Sequence, residues 1–186
     1  CRRAWASEGL ALSYDQLVAA AAAIPARGPV IDPDDASLLN PEHMPRAIAD
    51  YCRRTSQPVP ETPAAFARAV FESLALTYRI VIERLEEVSG CSISRIRIIG
   101  GGSQNRLLNQ LTADVTGRTV LAGPVEATAL GNIGVQMLAT GVVTSLAEAR
   151  DIINRSFPAE PYEPAATGRW GPAYRRFRDI VESARV

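Results

Sequence analysis

Three consecutive glycines, Gly100-Gly101-Gly102, followed by Ser103, interrupt a run that first alternates and then turns wholly apolar, Arg95-Ile96-Arg97-Ile98-Ile99. Glycines in a row cost conformational entropy on folding and are useful where backbone must come close to a flat or charged ligand. The next stretch, Asn105 to Thr116, carries Leu107, Leu108, Leu111 and Val115 at helical spacing and stops at Gly117. Its N-terminus would place unpaired N–H groups and a partial positive charge beside the glycines. A second strand, Thr119-Val120-Leu121, follows. Strand, glycine turn, helix and strand suit a nucleotide at the strand ends of an open α/β sheet. They equally suit a tight strand-to-helix turn with no ligand, and the pattern leaves both readings open. The known glycine signatures do not fit. G-x-G-x-x-G needs a glycine where Asn105 stands and an acid roughly 20 positions on, where Leu121 and Ala122 stand. A Walker A loop needs a lysine, and the chain has none.

The other residue types that carry chemistry have mostly structural readings. Asp114, nine residues into the helix after the glycines, reads as a solvated acid or an ion-pair partner. Glu126, just before the next helix, reads as a first-turn acid serving the helix dipole, with a role in a cleft as the alternative. Asp32, Asp34 and Asp35 lack the glycine and distal glutamate of a calcium loop and read as a solvated loop. His43 is the one histidine and reads as a surface residue in a helix first turn. Cys1, Cys52 and Cys91 form neither a metal-ligand spacing nor a disulfide framework, which favours a reducing, cytoplasmic setting. The expected metal-ligand set is none.

Elements must hold these groups in place. Ser13-Tyr14-Asp15-Gln16 has capping-box spacing and predicts an alanine-rich helix to about Ile24. Val30-Ile31 reads as a short strand. Asn40-Pro41-Glu42 reads as a helix start, with the helix running to about Arg54. Thr62-Pro63 opens the longest helix, to about Ser89, with an inward stripe of Phe66, Val70, Leu74, Tyr78, Val81, Leu85 and Val88, and with Arg68 and Glu72 largely off it. After Gly123-Pro124, residues 127 to about 140 form a small-residue helix. Ala127, Ala129, Gly131, Gly134 and Ala139 would let it lie close against the sheet. Ser145 caps a helix to about Asn154. Residues 157–171 are proline-rich and extended, and a final helix runs from Pro172 to Arg185. Trp5, Trp170 and Tyr174 pack domain edges or mark an exposed face.

Composition sets the outer limits. The 186 residues carry 20 basic and 20 acidic side chains, and every basic one is Arg. Without Lys there is no Schiff base and no lysine base. Zero formal net charge gives no electrostatic claim on nucleic acid or on an anionic membrane. The 47% hydrophobic and 22% charged residues are those of an ordinary globular protein. No apolar run approaches the roughly 20 residues of a bilayer span. The chain opens Cys1-Arg2-Arg3 rather than with Met, as expected of a piece of a longer protein. A lipidated Cys1 is the alternative, disfavoured because no polar tether follows.

The run from Ile98 to Asp114, Ile-Ile-Gly-Gly-Gly-Ser-Gln-Asn-Arg-Leu-Leu-Asn-Gln-Leu-Thr-Ala-Asp, resembles the adenosine motif of the FGGY family of carbohydrate kinases. Ala122 to Gly134, with Gly-Pro-Val-Glu-Ala-Thr-Ala-Leu-Gly-Asn-Ile-Gly, is similar to the branch of that family that acts on L-rhamnulose. Ile24-Pro25-Ala26, Leu39-Asn40-Pro41-Glu42, Gln57-Pro58-Val59-Pro60-Glu61 and Phe71-Glu72-Ser73-Leu74 agree in order, and the resemblance loosens after about Gly141.

The resemblance implies an α/β fold: the C-terminal domain of the actin/hexokinase/Hsp70-type ATPase (ribonuclease H-like) fold, a mixed sheet flanked by helices. Residues 1–186 would form that one domain, with a lead-in segment over about 1–12 and a C-terminal extension over about 156–186. The family's N-terminal domain, with its catalytic Asp and phosphate loop, would lie outside this chain. The activity implied is phosphorylation of the O1 hydroxyl of L-rhamnulose by ATP with Mg2+. Carried over by position, Gly100, Gly101 and Gly102 would line the adenosine pocket, with Gln104 and Asn105 beside the base or ribose. Ser103 stands where relatives often have Cys. The implied partners are ATP or ADP, a ketose reached through the N-terminal kinase domain, and that domain itself. Nucleic acid and membrane are not expected. The alternatives are a non-catalytic nucleotide-binding remnant or interaction module, or a kinase of the family for another ketose or polyol.

Overall fold

The computed structural model describes residues 1–25 and 28–183. The chain divides into two compact units, residues 1–91 with the stretch from Ala166 onward, and residues 92–165.

The first unit is helical: α1 (Arg2–Ser7), α2 (Tyr14–Ala23), α3 (Met44–Arg54), α4 (Pro63–Ser89) and, from the C-terminal stretch, α8 (Gly171–Ser183). The capping box at Ser13 forms as the spacing requires. Ser13 Oγ accepts from the Gln16 N–H at 3.1 Å, and Gln16 Oε1 accepts from the Ser13 N–H at 2.9 Å. Thr62 caps α4 and Gly90 ends it in the left-handed conformation at φ 66°. Against expectation, α3 begins at Met44, capped by His43, and not at Pro41. The reason is Pro45. Within a helix started at Pro41 it would lack an N–H to bond back and its ring would clash with the carbonyl of residue 41, whereas in a first turn it fits. The expected stripe of α4 also needs correction. Val81, Leu85 and Val88 are exposed, while Ala69, Phe71, Ala75, Leu76 and Ile80 are buried. α2 packs against α4, and Ala21 of α2 and Ala69 and Ala75 of α4 are fully buried. Arg68 and Glu72, expected off the stripe, are a buried ion pair at 2.5 Å.

Val30-Ile31 is buried but is not a strand. Its extended backbone is satisfied by side chains. The Val30 N–H donates to Gln57 Oε1 at 2.9 Å and the Ile31 N–H to Ser73 Oγ at 2.9 Å; the Asp32 N–H donates to Tyr51 Oη at 3.0 Å. Trp5, Trp170 and Tyr174 are buried, Trp5 with its ring tilted on Phe66 at 6.1 Å. Tyr174 Oη donates to Glu83, and the Arg79 guanidinium lies 4.0 Å over its ring. Burial, then the Glu83 carboxylate, push the Tyr174 phenol up to about 12. The final helix is seen to Ser183; Ala184 and Arg185, like Ala26, lie outside the described residues.

The second unit holds β1 (Arg95–Ile98), α5 (Arg106–Thr116), β2 (Thr119–Ala122), α6 (Ala127–Ala139), α7 (Leu146–Ser156) and β3 (Glu160–Tyr162). Its sheet has the order β1-β2-β3. β1 runs parallel to β2 with Ile98 opposite Ala122, and β3 runs antiparallel to β2 with Glu160 opposite Ala122. Val120, Ala122, Tyr162 and Ala113 of α5 form the core, with Ile96 and Ile98 against it. β3 was not expected inside a proline-rich stretch. Pro161 is tolerated because β3 is an edge strand of the sheet among the described residues. The small residues of α6 are mostly exposed rather than buried against the sheet. Gly134, the buried one, faces α7, where an added Cβ would stand 3.4 Å from Ile153 and 3.6 Å from Ala149, while Ala129, Gly131 and Ala139 are exposed.

Candidate functional site

The site region begins where β1 and β2 end side by side. The Gly123 N–H donates to the Ile98 carbonyl at 2.8 Å, and the Gly100 N–H donates to the Pro124 carbonyl at 3.2 Å, so the two strand ends brace each other. Gly100 has φ 73°, a conformation that favours glycine. From it the chain makes a short 3-10 turn, Gly100–Gln104, that leads into α5. Gly101 and Gly102 are exposed and have no positive φ. A side chain at Gly101 would meet nothing within 4 Å.

The turn is held from its buried side. Ser103 Oγ donates to the Gly100 carbonyl at 2.7 Å. Asn105, 1% exposed, caps α5 by accepting from the Leu108 N–H at 3.1 Å. Asn109 Nδ2 donates to the Ser103 carbonyl at 2.8 Å. Three polar side chains thus fix the backbone and leave the opposite face of the glycines to solvent.

Next to this turn lies a cavity of about 890 Å³. Val125, Leu130, Ile133 and Phe157 supply apolar wall, and Ser103, Gln104, Arg106, Glu126 and Glu160 supply polar groups. The structure therefore brings Gln104 into the cavity together with the turn after β2. Gly100, Gly101 and Gly102 stand beside the cavity rather than on its wall, and Asn105 is turned inward as a cap. Arg106 and Glu160 were not singled out from sequence. Arg106 directly follows the cap, a position that marks it as first-turn. Glu160 enters only through the pairing of β3 with β2, for which the sequence carries no signal.

The remaining candidates resolve locally. Asp114 accepts from Gln110 Nε2 at 2.9 Å and from the Ala165 N–H at 2.8 Å, tying down the chain after β3. Glu126 occupies the N-cap position of α6 without a side-chain cap bond and lies on the cavity wall. The Asp32–Asp35 loop is not simply solvated. Asp32 is buried and accepts from the Asp34 N–H at 3.0 Å, while Asp35 caps a turn and pairs with Arg54 at 2.9 Å. His43 is half-buried and not a plain surface residue. Its Nδ1 accepts from the Arg46 N–H, and its Nε2 lies 2.9 Å from Glu8. The three cysteines are free thiols, and burial pushes the Cys52 thiol up. Among the described residues no group of three or more His, Cys, Asp or Glu is placed to hold a metal ion, and no helix is long and apolar enough to cross a membrane.

A small mixed sheet, helices around it and a glycine turn at the parallel strand ends make a helix-rich α/β arrangement, and the solved structures similar to it are kinases of the actin/hexokinase-like fold. Solved structures agree in fold. The xylulose kinase from Rhodospirillum rubrum matches with a TM-score of 0.59 at 23% identity, over 91% of this chain and 33% of that one. The Plasmodium falciparum glycerol kinase with ADP matches with a TM-score of 0.57 at 16% identity, over 70% and 26%.

The chain belongs to the FGGY family of carbohydrate kinases, whose C-terminal domain matches residues 1–140. It is 49% identical to the rhamnulokinase of Pectobacterium carotovorum subsp. carotovorum over 166 residues, 89% of this chain and 34% of that protein. It is 43% identical to the rhamnulokinase of Bacteroides thetaiotaomicron over 181 residues, 97% of this chain and 36% of that protein. The chain thus spans about a third of the length of these relatives.

Proposed function

We propose that residues 1–186 act as one C-terminal domain that supplies the adenosine side of the ATP site in a cytoplasmic kinase phosphorylating L-rhamnulose at O1. The observation that carries this reading is the cavity at the strand ends beside the glycine turn. Its apolar wall of Val125, Leu130, Ile133 and Phe157 suits a flat base, and the Gln104 amide, which both donates and accepts, suits its edge or the ribose. The bare backbone at Gly101 leaves open space in which a nucleotide can come close. These residues fit a nucleoside.

In this division of labour the chain binds and orients the nucleotide. ATP supplies the transferred phosphoryl group, with Mg2+ on its phosphates. The general base for the sugar hydroxyl and the ketose contacts would belong to an N-terminal kinase domain, as the family resemblance implies. The chain on its own then binds ADP weakly and does not phosphorylate sugar. Titration of the 15N-labelled chain with millimolar ADP tests this. Shifts at Gly101, Gln104 and Val125 are expected. No shift there, or sugar kinase turnover by this chain unaided, overturns the reading.

A further inference from the structure

We propose that His43 is a proton-operated switch at the start of α3. Neutral, it caps the helix and ties it to the end of α1. Protonated, it gives up the cap and keeps only its tie to Glu8.

The two ring nitrogens of His43 serve two elements. Nδ1 accepts from the Arg46 N–H at 3.2 Å, which is the N-cap bond of α3. An accepting Nδ1 carries no proton, so in the neutral ring the proton sits on Nε2. Nε2 lies 2.9 Å from Glu8 Oε1, at the C-cap of α1, and donates to it. Serine, threonine or asparagine in this position would keep its acceptor at any pH. Histidine loses its acceptor when it takes a proton, and it is the side chain whose charge changes between about pH 5 and pH 8. A proton on Nδ1 sets donor against donor across the cap and puts a positive charge at the positive end of the helix dipole. At Nε2 the same charge strengthens the bond to the Glu8 carboxylate. The ring therefore keeps Glu8 and turns out of the cap. The His43 side chain is 31% exposed, so solvent protons reach it, and it borders a cavity of about 560 Å³ into which it can turn. The other charged groups around this cavity are the Cys1 amino group and Arg3 from the start of α1 and Glu42 from the preceding loop, while Arg46 follows in α3 itself. The cations oppose a further positive charge and Glu42 favours one, which leaves Glu8, the carboxylate in direct contact, to set the balance. No acidic residue stands in the first turn of α3 to take over the cap.

The test follows the 15N-labelled chain by NMR from about pH 8 to pH 5, the range in which histidine changes charge. Ring nitrogen shifts report the protonation of His43, and amide hydrogen exchange reports the Arg46 N–H. As the ring takes its proton, the Arg46 protection factor should fall about fivefold, the scale of a lost N-cap. His43→Asn, which caps at every pH, should hold that protection constant. Glu8→Gln, which removes the carboxylate that favours the cation, should move the loss to more acid pH. An Arg46 protection factor that stays level while the ring becomes protonated overturns the proposal, as does a ring still neutral at the acid end. The same loss in His43→Asn would assign it to Glu42 or the Cys1 amino group and overturn the proposal as well. An unmoved midpoint in Glu8→Gln overturns the role given to Glu8.

Discussion

Two segments of this molecule use the same device for opposite ends. Residues 30–32 and the turn at 100–105 are both irregular backbone held by polar side chains. At 30–32 the holders surround the chain. Gln57 takes both the N–H and the carbonyl of Val30, Ser73 takes Ile31 and Tyr51 takes Asp32, all buried. At 100–105 the holders Ser103, Asn105 and Asn109 work from the buried side only, and Gly101, Gly102 and Gln104 remain exposed. The first arrangement closes a segment off. The second stiffens a turn while leaving its outer face available, which is what a preorganised binding surface requires.

The largest effect should come from breaking the closed segment. Gln57→Ala orphans a buried N–H and a buried carbonyl, a loss of roughly 2–4 kcal/mol in all. Urea unfolding should show it as a lower midpoint. The ADP-induced shifts at Gln104 should survive under folding conditions, because Gln57 serves the helical unit. A loss below a few tenths of a kcal/mol would mean water substitutes for the amide and the segment is not closed.

These differences explain what the sequence reveals and what it hides. Caps and stops are local, so Ser13, Thr62, Gly90 and Gly117 mark helix ends correctly. The glycine turn, α5 and β2 are likewise legible, because period and punctuation change together there. The short strand expected at Val30-Ile31 fails because β-like composition does not say whether a neighbour will be a strand or a set of side chains. The α4 stripe fails because the buried face, with Ala69, Phe71, Ala75, Leu76 and Ile80, is offset from the row of large residues that periodicity picks out, which leaves Val81, Leu85 and Val88 exposed. β3, and with it Glu160, is hidden because strand pairing over about 40 residues of separation leaves no local trace. On the cavity wall, Gln104 belongs to the run that carries the family resemblance, whereas the rest of the wall depends on tertiary structure.

An intermediate effect separates the three glycines. Gly100→Ala forces a side chain into φ 73° and should cost about 1–2 kcal/mol, read by thermal unfolding. Gly101→Ala meets open space, so its stability change should stay within about 0.5 kcal/mol, while its ADP shifts weaken because the new methyl group occupies the approach. Equal effects of the two substitutions on stability would erase the distinction between a glycine needed for its backbone and one needed for its bareness.

The smallest effect is electrostatic and lies in the loop that follows the closed segment. Burial works against ionisation of Asp35, but hydrogen bonds from Ser37 and the Arg54 charge prevail and hold its carboxyl below the ordinary carboxylate value. A depressed folded-state pKa gives stability that is present above the unfolded carboxylate pKa, about 3.9, and is lost as pH falls through the lower folded value. Asp35→Asn should therefore lower the melting temperature slightly at pH 7. The gap from the unmodified chain should narrow as pH drops below about 4, where Asp35 itself begins to protonate. The pair is partly solvated, so added salt should shrink the gap at pH 7 as well. A gap that stays constant from neutral to strongly acid pH would assign the effect of Asp35 to its turn-capping bond to Ser37 and not to its charge.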